Sequence, residues 1–76
     1  MKCSIDVDIA DCGNPMRGYH DYRGTIRFDY RGQGDYIAEK EREIIDSIVG
    51  TVWMWCDIRN TDPHVWSVHY GYDSGD

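Results

Sequence analysis

The chain has 76 residues, 41% hydrophobic and 29% charged, with 14 acidic side chains against eight Lys and Arg and a net charge of -6. Such a length holds one domain and buries only roughly 60% of the surface its unfolded form exposes, so the core must be small. The acidity argues against direct binding to duplex DNA or RNA, whose phosphates reward clustered Lys and Arg, and it suits a basic partner or serves solubility alone.

Three Trp, six Tyr and one Phe argue for a folded chain, because aromatic side chains bury the most area per residue. Residues 2–10 alternate, with Cys3, Ile5, Val7 and Ile9 on one side and Lys2, Ser4, Asp6 and Asp8 on the other. That period of two predicts a half-buried strand. Residues 11–21, DCGNPMRGYHD, are dense in turn formers and predict a loop longer than a usual hairpin connection. Alternation resumes over residues 22–31, with Tyr22, Gly24, Ile26, Phe28 and Tyr30 on one face and Arg23, Thr25, Arg27, Asp29 and Arg31 on the other. Antiparallel pairing of these two strands would set Asp6 and Asp8 among Arg27 and Arg31.

Gly32-Gln33-Gly34 ends the second strand and Asp35 caps a helix. Its apolar stripe comprises Ile37, Ala38, Ile44, Ile45, Ile48 and Val49, with Glu39, Arg42, Glu43 and Asp46 opposite and Gly50 at the C-terminal cap. Glu41 falls inside the stripe, where a structural ion pair at the rim or with an Arg is expected. Residues 51–59, TVWMWCDIR, follow a Gly and are rich in β-branched and aromatic side chains, which predicts a third strand. Asn60-Thr61-Asp62-Pro63 is a turn signal, residues 64–72 form the fourth strand, and 73–76 are expected to fray.

The expected fold is therefore a single α+β domain over residues 1–76, ββαββ, a four-stranded antiparallel sheet with one helix packed on one face. Such a sheet leaves its other face in solvent. In the third strand, Val52, Met54, Cys56 and Ile58 form the compact apolar set, which places Trp53 and Trp55 side by side on the open face. Adjacent exposed tryptophans suggest a binding surface for a partner or for a second copy of the chain.

Chemistry-bearing patterns are weak. Cys3, Cys12, Cys56, His20, His64 and His69 lack the short-range spacing of zinc sites, so no metal or cofactor is expected. Gly32-Gln33-Gly34 lacks the third Gly and the Lys of phosphate-binding loops, and the segment from Arg23 to Tyr30 matches the RNA-binding RNP1 strand at its Arg-Gly start and final Tyr alone. No paired groups point to catalysis, and a non-enzymatic role is expected. Three cysteines without CxxC spacing, no secretory leader and no apolar run near the roughly 20 residues of a membrane span imply a reduced, cytoplasmic setting without membrane contact.

In size, charge, isolated αβ architecture and lack of a catalytic constellation, the chain resembles the small acidic inhibitors that bacteriophages encode, of the anti-CRISPR type. The resemblance covers general character, rests on no motif and transfers no residue. It implies a protein partner with a basic nucleic-acid-binding groove, such as a CRISPR-Cas subunit in the host bacterial cytoplasm, blocked by competition. Glu39, Glu43 and Asp46 would then imitate phosphates, with Asp6, Asp8 and Asp29 extending the charge. A host interaction module, antitoxin or complex subunit binding through Trp53 and Trp55 is the alternative.

Overall fold

Two alternating segments on each side of one amphipathic helix build a four-stranded antiparallel sheet, and the computed structural model describes residues 3–30 and 38–75. Strand β1 spans Cys3–Asp11, β2 Tyr19–Tyr30, β3 Trp55–Asp62 and β4 Val65–Asp73, with helix α1 over Ala38–Val49. The order across the sheet is β1-β2-β4-β3. Because β2 and β3 both run antiparallel to β4, they are parallel to each other, and α1 is the crossover of a split βαβ unit into which β4 inserts. The expected α+β architecture holds. The Gly32–Gln33–Gly34 break, the Asp35 cap, Lys2, Arg31, Ile37 and Asp76 lie outside the described residues.

The expected antiparallel pairing of the first two strands is present, in a register where Ile5 faces Phe28, Val7 faces Ile26 and Asp6 faces Arg27. Ile26, Phe28, Ile45, Val49, Trp66, Val68 and Tyr70 form the core, so α1 sits over the two central strands. A helix is about 10 Å wide, whereas four strands at ~4.8 Å spacing extend well beyond it. Consequently Ile5 and Val7 on the edge strand β1 keep 39% and 46% of their surface, and Ile44 and Ile48 on the flank of α1 keep 39% and 42%. The broad stripe read from the sequence is thus narrower in the fold.

Several boundaries move. The expected loop shortens, because β1 runs to Asp11 and β2 begins at Tyr19, with a 3-10 turn at Pro15–Arg17 between them. Asp11 organises that turn: its Oδ1 accepts from the amides of Gly13 and Asp21, and its Oδ2 faces His20 Nδ1 at 2.9 Å. The predicted turn at residues 60–63 is strand through Asp62, with an irregularity between Asn60 and Asp62, and the chain reverses at Pro63 and His64. His64 takes φ 66°, a left-handed conformation that a non-glycine residue adopts at a cost of roughly 1–3 kcal/mol. Tail residues also differ from expectation: Asp73 belongs to β4, and the Ser74 amide donates to Gly18 O at 2.9 Å.

Glu41 is fully buried. Its Oε1 accepts from Trp66 Nε1 at 2.7 Å, and its Oε2 accepts from Tyr30 OH at 2.7 Å and His64 Nδ1 at 2.9 Å. In place of the Arg or rim contact expected for this residue, the carboxylate takes hydrogen bonds in the interior, one of them from a histidine. Desolvation pushes the Glu41 carboxyl up, but the His64, Trp66 and Tyr30 bonds outweigh it and hold the group below its ordinary range. An ionised carboxylate is an acceptor, so His64 Nδ1 carries the proton in this bond.

Removing this carboxylate takes the acceptor from three donors at once, with Trp66 Nε1 the buried one. Glu41→Ala is expected to cost about 3–5 kcal/mol and Glu41→Gln about 1–3 kcal/mol in urea denaturation. Equal stability of Glu41→Ala and the parent chain would show that the helix docks without it.

Candidate functional site

The face of the sheet away from α1 carries Asp6, Asp8, Tyr19, Asp21, Arg23, Arg27, Trp55, Asp57, Arg59, Ser67, His69 and Asp73 by strand parity. Gly71 lies in β4 between Asp21 on β2 and Trp55 on β3. The Trp55 ring lies across Gly71, and a Cβ there would meet its Cζ2 at 2.6 Å. With the indole laid over the sheet, Trp55 Nε1 donates to Asp21 Oδ1 at 3.3 Å. The same Oδ1 receives His69 Nε2 at 2.6 Å, and Asp21 Oδ2 receives Arg23 Nε at 3.0 Å. Tyr19 packs beside Trp55 with ring centroids 6.0 Å apart.

Asp21 keeps 4% of its surface, although it lies on the open side of the sheet. Trp55 and its neighbours therefore create a local interior on a solvent face. Desolvation pushes the Asp21 carboxyl up, but hydrogen bonds from His69 and Arg23, with their charges, more than offset it and leave the group below its ordinary range. Over these residues opens a cleft of about 500 Å³ lined by Tyr19, Asp21, Arg23, Trp55, Cys56, Asp57, His69 and Asp73. A second hollow of about 450 Å³ continues along Arg23, Asp57, Arg59, Ser67 and His69.

An Asp-His pair is also the base half of a nucleophilic catalyst. Here Asp21 accepts from Arg23, Trp55 and His69, and its carboxylate fixes the His69 ring on this face. Cys56 pairs with Tyr70 on the helix side, and desolvation pushes its thiol up. Among the described residues no group of three or more His, Cys, Asp or Glu is placed to hold a metal ion. The cleft combines aromatic faces with bordering charge.

The two tryptophans do not share a face. The strand begins at Trp55, and Trp53 precedes it on the helix side, against Tyr22, Tyr70 and Tyr72 at 5.4, 4.8 and 5.7 Å. Gly50, at φ 86°, ends α1, and Trp53 Nε1 then donates to Val49 O at 2.6 Å, supplying a donor to a helix end that lacks one. This correction removes the adjacent-tryptophan surface. Val52 and Met54, expected in the core, precede the strand and are exposed, and Cys3 and Cys56, on the edge strands β1 and β3, are exposed as well.

The proposed carboxylates are all on the surface. Asp6, Asp8, Asp29, Glu39 and Glu43 are exposed and make no ion pair among the described residues, although Asp6 lies directly across from Arg27. Asp46 differs: Arg42 Nε lies 3.0 Å from its Oδ1, one turn away on the helix. Comparison with known protein families, characterised proteins and solved structures finds no match to this chain. What the chain does must be read from its own surfaces.

Sequence reasoning missed Asp21 and His69, which lie 48 positions apart and meet through the β2–β4 register. The alternation of β2 puts Asp21 with Arg23 on the polar side, and the glycine at position 71 in an aromatic strand was the available sign that a ring packs across the backbone there.

Acid should loosen this face and the helix contact together. The carboxyls of Asp11, Asp21 and Glu41 all sit below their ordinary values in the folded chain. Their contribution is complete above the unfolded carboxyl range of about 4, and it is lost as pH falls through the lower folded values. Urea midpoints are expected to hold near neutrality and drop below about pH 4. Asp21→Asn should be less stable at pH 7, with the gap to the parent closing in acid; a constant gap across pH would contradict this account.

Proposed function

We propose that this chain is a non-catalytic protein-binding inhibitor that acts as phage-encoded anti-CRISPR proteins do, by setting carboxylates into a basic nucleic-acid-binding groove of a host defence complex. The observation that carries this reading is the sorting of acid in the fold. Three carboxylates, Asp11, Asp21 and Glu41, are spent on His20, His69 and His64, while Asp6, Asp8, Asp29, Glu39 and Glu43 stand exposed without cation partners among the described residues. The surface excess of negative charge is therefore held outward, where another molecule's cations can reach it.

Magnitude sets the scale of the mimicry. The body measures 48 × 18 × 18 Å, and a duplex of that length carries roughly 28 negative charges at one per 1.7 Å, against a net charge of -6 here. Imitation of a whole duplex is far out of reach, so the reading concerns a local patch of a few phosphates. Glu39 and Glu43, one turn apart on the solvent side of α1, form the sharpest such patch, because Arg42 already engages Asp46.

Binding to a basic partner should weaken as salt rises from low to physiological ionic strength, chiefly through a slower association rate. Glu39→Lys with Glu43→Lys should lower affinity by about tenfold or more, while Asp46→Lys alone should do less. A pull-down from bacterial lysate at two salt concentrations, with and without nuclease, supplies the partner. A partner indifferent to salt and to the double reversal would remove the competition reading.

A further inference from the structure

We propose that the cleft over Gly71 receives an arginine side chain of a protein partner. The inference goes beyond the carboxylate patches of α1 and β1 and rests on the protein-binding reading above.

The cleft offers two aromatic surfaces and acceptors at both ends. Trp55 and Tyr19 present rings 6.0 Å apart at 49°, and Trp55 is held flat by Gly71 beneath it and by its bond to Asp21. Asp57 lies toward one end and Asp73 toward the other, both exposed. The charge of Arg23 is matched by buried Asp21, with Nε and Oδ2 3.0 Å apart, so it does not turn the cleft into an anion site. Asp73 uses Oδ1 for the Gly75 amide, and Asp57, 52% exposed, meets Arg59, 74% exposed, in a surface pair that is readily exchanged. The net character is an aromatic slot with surplus carboxylate.

A guanidinium fits that combination better than other side chains. It is planar, weakly hydrated, stacks on aromatic faces and donates in a fork that matches carboxylates. A volume of about 500 Å³ lies within the usual range for ligand sites and admits the side chain with part of its backbone. An ammonium would gain the charge without the stacking, and a neutral isostere would gain neither.

The test uses the intact chain and small probes. Three indole N–H groups with three different acceptors, Val49 O for Trp53, Asp21 for Trp55 and Glu41 for Trp66, give separate NMR reporters. N-acetyl-arginine amide is expected to shift the Trp55 indole signal saturably and leave Trp66 in place, with N-acetyl-citrulline amide binding at least about fivefold more weakly. Trp55→Leu should abolish probe binding, and the Trp66 signal reports whether that variant is folded. Asp57→Asn with Asp73→Asn, both at exposed positions, should weaken binding by about fivefold without disturbing the fold. A Trp55 signal that stays fixed, or moves equally with citrulline, overturns the proposal, as does unchanged affinity in the double Asn variant. Because the probe is a free amino-acid amide, its binding is independent of the helix-face reversal: the cleft can stand where the competition reading falls, and the reverse.

Discussion

One buried carboxylate ties the molecule together. Glu41 projects from α1 into the core and takes donors from β2 through Tyr30, from the β3–β4 turn through His64 and from β4 through Trp66. Apolar packing by Ile45 and Val49 supplies area but little direction, whereas three hydrogen bonds at 2.7–2.9 Å fix both the position of the helix and its rotation about its own axis. That rotation decides which residues of α1 face solvent. Glu39 and Glu43 are exposed because Glu41, between them in sequence, points inward.

The same interaction accounts for the strained turn. His64 sits at positive φ, its carbonyl accepts from the Phe28 amide at 2.8 Å, and its imidazole reaches Glu41. A Gly at this position would relieve the backbone but could not satisfy the carboxylate. A charge in a small core is costly unless fully paired, and here each oxygen has a partner. The pattern recurs at lower burial in Asp11 with His20, across one loop, and in Asp21 with His69, between β2 and β4, so each of the three histidines closes a carboxylate contact between elements.

Periodicity made most of the fold legible. Alternation in β1 and β2 set their faces, and the helical stripe identified the packed side of α1. The sequence could not reveal how far one helix covers four strands, which is why Ile5, Val7, Ile44 and Ile48 remain part-exposed. It also failed at residues 51–54. A run of β-branched and aromatic residues was read as strand from its first position, but Trp53 serves the end of the helix, and the ladder starts with the Met54 amide donating to Gly71 O at 2.8 Å. One displaced strand start sent the two tryptophans to opposite faces. Glu41 was recognised as anomalous from its angle alone, yet its partners come from separate segments that no local pattern brings together.

The open face follows from the same economy of length. Among the described residues no second layer shields the outer side of β4, and Trp55 supplies the cover by lying across Gly71. Cover of that kind buries Asp21 from above while leaving the outer surface of the ring half-buried, so a structural solution for the sheet also creates an aromatic platform edged by Asp57 and Asp73. On α1 the exposed carboxylates are spread along a helix, a geometry suited to diffuse attraction of a basic surface. On the sheet they flank a fixed ring, a geometry suited to one cationic side chain. Diffuse charge governs how fast a partner arrives, and a preorganised aromatic slot governs how long it stays, because the ring loses little freedom when the contact forms.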